Sequence, residues 1–154
     1  VLAEYGGAEG MMGGQQIDLQ SEKIVISRDV LEDLVSKKTA ALLSCSCLLG
    51  CIAANADDTD RNKAITYGYK LGMAFQIADD ILDCEGDSDT LGKSTGKDEK
   101  SGKSTFVSVL GKENAKQLAK TLTEEAKDSI SDSGDRQVRK RLFEFCDLML
   151  FRKF

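Results

Sequence analysis

The sequence predicts an all-α protein, and three observations carry that reading. There is no proline anywhere in the 154 residues, so nothing interrupts long helices. Apolar residues recur at three- and four-residue spacing through several long stretches. No run of useful length alternates apolar and polar residues as a half-buried strand does.

The opening stretch, Val1 to Leu19, holds Gly6, Gly7, Gly10, Gly13 and Gly14. Each glycine weakens an isolated helix by about 1 kcal/mol relative to alanine, but lets a neighbouring backbone or a ligand come close. Ser27 is placed as an N-cap, with Asp29 in the first turn. One long helix is expected from Val30 to about Asn55, its apolar face marked by Leu31, Leu34, Val35, Leu42 and Leu49. No charge occurs from Thr39 through Ala56, which approaches the roughly 20 apolar residues of a membrane span. Ser44, Ser46, Gly50 and Asn55 interrupt that run, so a buried core helix is expected instead. Asp57, Asp58 and Thr59 offer caps for the next helix, running to about Cys84. A loop rich in Gly, Ser, Thr, Asp and Lys is expected from Glu85 to Ser104. Two further helices are expected, Lys112 to Ser131 and Gln137 to Phe151, parted by Asp132, Ser133 and Gly134. The first carries a solvated outer face. In the second, Leu142, Phe143, Phe145, Leu148, Leu150 and Phe151 are read as packing residues.

Composition narrows the chemistry. A hydrophobic fraction of 41% with 31% charged residues reads as soluble and globular, one domain or a piece of one. Histidine is absent, which removes the commonest general base and zinc ligand. A net charge of −5 opposes nonspecific nucleic-acid binding. Five cysteines without a visible secretory signal fit a reducing compartment, and a cytoplasmic location is expected. Cys45, Cys47 and Cys51 lack zinc spacing and are read as buried small residues. Tyr67 and Tyr69 are read as core. The chain begins on Val1 in mid-pattern, so a preceding portion is expected.

The third helix carries the strongest chemical signal. At 3.6 residues per turn, Gly72, Gln76, Asp79, Asp80 and Asp83 share one stripe, while Leu71, Ala74, Phe75, Ile77, Ala78, Ile81 and Leu82 cover the rest. Surface stripes ordinarily pair acids with Lys or Arg one turn away. Here the preceding turn supplies only Gln76 and Gly72. Three close carboxylates repel one another and call for an outside cation, and oxygen-only donors select a hard ion such as Mg²⁺. A simply solvated stripe is the alternative. Lysines for a phosphate stand nearby in sequence: Lys37 and Lys38 before Thr39, then Lys93, Lys97, Lys100 and Lys103 after the acids. Gly92, Gly96 and Gly102 let that loop bend around a ligand. Gly102-Lys103-Ser104 is a partial match to a nucleotide-binding loop whose full spacing is absent.

Taken in order, these blocks resemble the trans-isoprenyl diphosphate synthase family of farnesyl and geranylgeranyl type. Met12-Gly13-Gly14-Gln15 with Asp18 resembles its glycine-rich helix, and Lys38-Thr39 its Lys-Thr pair. Phe75-Gln76-Ile77-Ala78-Asp79-Asp80-Ile81-Leu82-Asp83 is similar to its second aspartate-rich motif. Leu91-Gly92-Lys93 and Gly102-Lys103-Ser104-Thr105 are similar to the loop that follows.

The resemblance implies an isoprenoid-synthase-type helical bundle, with residues 1–154 as the C-terminal part of a single domain. It implies Mg²⁺ at Asp79, Asp80 and Asp83, directly or through water. Lys38, Lys93 and Lys103 would bind the allylic diphosphate. Thr39 and Gln76 would lie near the developing cation and the leaving oxygen, with Phe75 walling the pocket. Asp98 would orient a lysine or a metal-bound water. Isopentenyl diphosphate and an allylic diphosphate are the implied substrates, and a homodimer the implied assembly. The first aspartate-rich motif of the family is not in this sequence, so the chain alone is expected to be inactive. A non-catalytic partner subunit and a class I terpene cyclase are the other functions such a fold could serve.

Overall fold

The computed structural model describes residues 1–85 and 103–150, and every described regular element is helical. Helix α1 spans Leu2–Gly6, α2 Met11–Gln20 and α3 Arg28–Val35. A π-helical turn, Ser36–Ala40, leads into α4, Ala41–Ala53. Then come α5 (Asp58–Glu85), a short α6 (Phe106–Leu110), α7 (Lys112–Ser129) and α8 (Arg136–Leu150).

Local chemistry sets the boundaries. The Val30 amide donates to Ser27 Oγ, so Ser27 caps α3 as its sequence position predicts. Asp57 Oδ1 accepts from the Asp60 amide at the head of α5. Gly134, in the break before α8, takes a left-handed φ of 60°, which glycine adopts without strain. Asp135 Oδ1 then accepts from the Gln137 amide to start α8.

Helix α5 is the spine. Its 28 residues extend about 42 Å at 1.5 Å per residue. Helix α4 packs along one side of it, α7 along another, and α8 against both α7 and α5. Two clusters fill the interior. One joins Leu31, Leu34 and Val35 to Met73, Ala74, Ile77, Ile81, Phe106 and the alanines of α7. The other gathers Tyr67, Leu71, Ala126, Ile130 and Cys146.

The expected single helix of residues 30–55 is helical throughout but changes register at Ser36–Ala40. By length and composition, Arg28–Ala53 is apolar enough to cross a membrane, yet Leu31, Leu34, Val35, Ala40, Cys45 and Leu48 are buried against the bundle.

Several packing expectations need correction. Tyr67 is buried and donates its hydroxyl to Leu142 O, whereas Tyr69, two residues round the helix, is exposed. Burial, reinforced by the neighbouring Cys146 thiol, pushes the Tyr67 hydroxyl well above its ordinary range. On α8, Phe145 and Leu148 are exposed, at 43% and 63%, and Cys146 takes the inward position. Cys45 is buried, but Cys47 and Cys51 are only half-buried, and all five cysteines are free thiols.

Candidate functional site

The site is built where α2, the π turn, α5 and the start of α6 meet. Two glycines make that meeting close. A Cβ on Gly14 of α2 would lie 2.2 Å from the Lys38 backbone nitrogen, and one on Gly72 of α5 would lie 2.5 Å from Ala40 Cα. The π turn is therefore pressed from both sides by bare backbone, and it is the segment that carries Lys38 and Thr39. π-Bulges of this kind concentrate at functional sites.

Lys38 and Lys103 converge on one carboxylate. Lys38 Nζ donates to Asp18 Oδ2, and Lys103 Nζ pairs with Asp18 Oδ1 at 2.9 Å. The Asp18 side chain is only 12% exposed, the two lysines 30% and 35%. Burial works to raise the Asp18 carboxyl, but the hydrogen bond from Lys38 and the ion pair with Lys103 outweigh it and hold the group below the ordinary carboxylate range. Around this triad lies a small cleft of about 50 Å³ lined by Leu31, Leu34, Gln76, Asp80, Ser104 and Thr105 as well.

A second set of contacts runs beneath it. Thr39 Oγ1 donates to Gln76 Oε1 at 3.2 Å, and Gln76 Nε2 donates to Asp80 Oδ1 at 3.1 Å. Asp80 Oδ2 accepts from the Phe106 amide at 2.8 Å. The Lys103–Phe106 segment is thus held at four consecutive residues. Lys103 is paired with Asp18. Ser104 Oγ accepts from the Ile26 amide and donates to Ile24 O. Thr105 caps α6 reciprocally with Ser108, and the Phe106 amide rests on Asp80.

The predicted residues therefore separate into groups. Lys38 and Lys103 come together, as do Thr39, Gln76 and Asp80. Asp79 is exposed and Asp83 half-buried one turn further on, while Asp80 is buried, at 7%. Among the described residues no three acids, cysteines or histidines converge on a point that could hold a metal. Phe75 is half-buried and is not among the described residues lining the cleft. Lys93 and Asp98 lie outside the described residues.

Sequence reasoning noticed Asp18 within its motif but gave it no role. The signal was present: Asp18 stands one turn after Gly14, with no basic residue at i±3 or i±4. Ser104 was missed because its partners lie 78 and 80 residues away.

Fold and site together define an all-helical protein with two lysines gathered on a shared carboxylate beside an acid-bearing helix. The polyprenyl synthetase family model matches residues 7–144, and the chain belongs to that family. It is 38% identical over 151 residues to the farnesyl diphosphate synthase of Bacillus subtilis (strain 168), covering 98% of this chain and 50% of that protein. Against the geranylgeranyl diphosphate synthase of Cyanophora paradoxa it is 43% identical over 122 residues, 79% of this chain and 41% of that one. The solved apo structure of an FPP/GFPP synthase from Zymomonas mobilis superposes with a TM-score of 0.80 at 30% identity. That match covers 96% of this chain and 48% of the other. The chain spans about half the length of the curated relatives it matches.

Proposed function

We propose that this chain supplies the diphosphate-binding side of a prenyl-elongating active site, one that transfers an allylic group from its diphosphate to isopentenyl diphosphate. The observation that carries the reading is the pairing of Lys38 and Lys103 on Asp18, in a cleft floored by Gln76 and Asp80. Two ammonium groups converging in a partly buried cleft match a polyanion, and diphosphate oxygens would take over the contacts that Asp18 now receives.

The donors on α5 fit Mg²⁺ by chemical type. Asp79 and Asp83 stand one turn apart, and Mg²⁺ usually takes one or two carboxylates while sharing phosphate oxygens and water. When bound it would neutralise charge building on the departing diphosphate. The chain's own residues do the rest. Lys38 and Lys103 stabilise the leaving group as the allylic carbon–oxygen bond breaks and its electron pair departs with the diphosphate. The Thr39 hydroxyl proton is committed to Gln76, which leaves the hydroxyl oxygen's lone pairs to face the positive charge on the allylic fragment. The double bond of isopentenyl diphosphate then forms the new carbon–carbon bond, and the released diphosphate takes up the proton that the resulting cation gives off. Phe75 is assigned to the pocket wall, and Lys93 to the same diphosphate.

Residues beyond this chain's match to its relatives are proposed to bring the first aspartate-rich motif and the isopentenyl diphosphate site. We assign Arg28–Ala53 to the protein core rather than to a membrane. Leu2, Met12, Leu19 and Val25 are exposed apolar residues of the kind a larger assembly covers, and we propose a homodimer. Five free thiols support a cytoplasmic location.

The test is elongation by the intact gene product with isopentenyl diphosphate, an allylic primer and Mg²⁺. Asp79→Ala should lower the rate at least about 100-fold, given what removing one electrostatic stabiliser does in other enzymes. Product that forms undiminished in Asp79→Ala, or that is absent from the wild type with every primer, contradicts the reading.

A further inference from the structure

Asp80 sits among three acids that sequence spacing treats alike, yet its surroundings differ from those of Asp79 and Asp83. It is buried, while Asp79 is exposed. Each of its oxygens already receives a donor held in place by other structure: Oδ2 the Phe106 amide at the first turn of α6, Oδ1 the Gln76 side-chain amide. The Phe106 side chain is completely buried, so this amide cannot turn to water. A carboxylate at this position takes up a backbone donor that has no partner inside the helix. Gln76, fixed from below by Asp80, offers its carbonyl oxygen to Thr39. Among the described residues, Asp79, Asp80 and Asp83 do not converge as a metal set.

We infer that Asp80 is a positioning residue, not a metal ligand: it ties the π turn, α5 and the start of α6 into one unit and so fixes Thr39 on one side and Lys103 on the other. Lys103 precedes Phe106 by three residues, and the intervening Ser104 and Thr105 are tied down as well. The metal-binding half of this statement rests on the function proposed above; the anchoring half does not.

The two roles respond differently to the Asp80→Asn substitution. The carboxamide it introduces can offer its carbonyl oxygen to the Phe106 amide and its NH₂ to Gln76. The Gln76 amide then turns over and donates to Thr39 instead, so the anchor survives without the charge. A magnesium ligand does not survive that change, because Mg²⁺ favours carboxylate oxygen.

The experiment compares Asp80→Asn, Asp80→Ala and Asp79→Asn in the intact gene product. It reads the melting temperature and the affinity for Mn²⁺, a spectroscopic stand-in for Mg²⁺, in the presence of inorganic pyrophosphate. Asp80→Ala should melt at least about 5 °C lower, with Asp80→Asn restoring the wild-type value. Mn²⁺ affinity should stay within about twofold in Asp80→Asn and fall at least about tenfold in Asp79→Asn. An Asp80→Ala protein that melts like the wild type, or an Asp80→Asn protein that loses Mn²⁺ as Asp79→Asn does, overturns the inference. Mn²⁺ binding unchanged by Asp79→Asn would count against the metal reading itself, and the melting comparison would still decide whether Asp80 is the anchor.

Discussion

A carboxylate shared by two lysines is an unusual thing to bury unless something later takes the lysines away. Asp18 holds Lys38 and Lys103 together, and lysine heads already gathered in this way would lose less freedom on taking up the proposed diphosphate. Charge-assisted hydrogen bonds contribute roughly 1.5–3 kcal/mol each when buried. With both lysines about a third exposed, the effective figure is nearer 1 kcal/mol. Asp18→Asn should therefore lower stability to urea by about 1 kcal/mol at pH 7. The sign with pH follows from the depressed carboxyl: its contribution is complete above the unfolded value near 4 and fades as pH falls through the lower folded value. The gap between wild type and Asp18→Asn should be constant from about pH 5 to 8 and close below about pH 4. A gap that persists in acid would mean Asp18 acts by shape and not by charge. Replacing Lys38 or Lys103 with methionine should weaken pyrophosphate binding about tenfold each, read by calorimetry. At this scale the sequence revealed the acids of α5, because no Lys or Arg stands three or four residues from any of them along an apolar helix. It did not separate Asp80 from Asp79, since angular position on a helix says nothing about which neighbouring element covers it.

Between elements, two glycines set the geometry. Gly72 lets Ala40 approach α5 closely enough that an added methyl would meet backbone and Cβ atoms, which cannot step aside as a side-chain tip would. Gly72→Ala should cost about 2–3 kcal/mol, at the upper end of overpacking. Gly50, inside α4, has open space where its Cβ would stand, so Gly50→Ala should stabilise by about 0.5–1 kcal/mol through helix propensity alone. Urea unfolding of the pair checks both signs, and equal effects would remove close approach as the explanation. The long helices were legible: α5, α7 and α8 begin and end within a few residues of where periodicity and caps predict. The π turn was not, because Ser36–Ala40 has ordinary helical composition and its register change lies under contacts with α2 and α5. Nor was α6, whose five residues are too few for periodicity, although the Thr105–Ser108 cap marks its start. On α8 the apolar stripe was read too broadly, and only the packed partner shows that Cys146 faces in while Leu148 faces out.

At the scale of the whole molecule, the spine α5 joins the two interior clusters. It places Tyr67 in one and the Gln76–Asp80 turn beside the other. The site stands where α2, the π turn, α5 and α6 meet, and sequence-distant groups such as Asp18 and Lys103 reach it only through that packing. Family membership was readable from ordered motifs across the chain, and the match over residues 7–144 agrees with it. Lys38, Lys103 and the acids Asp79 and Asp83 of α5 are proposed to handle the diphosphate during prenyl elongation. The most direct test is incorporation of labelled isopentenyl diphosphate by the intact gene product, with allylic primers of five, ten and fifteen carbons and Mg²⁺, beside Asp79→Ala and a Lys38→Met/Lys103→Met double variant. The wild type should give a lengthened, Mg²⁺-dependent product, and both variants should lose at least about 100-fold in rate. Elongation that survives either variant, or a wild type that elongates none of the primers, would contradict that proposal.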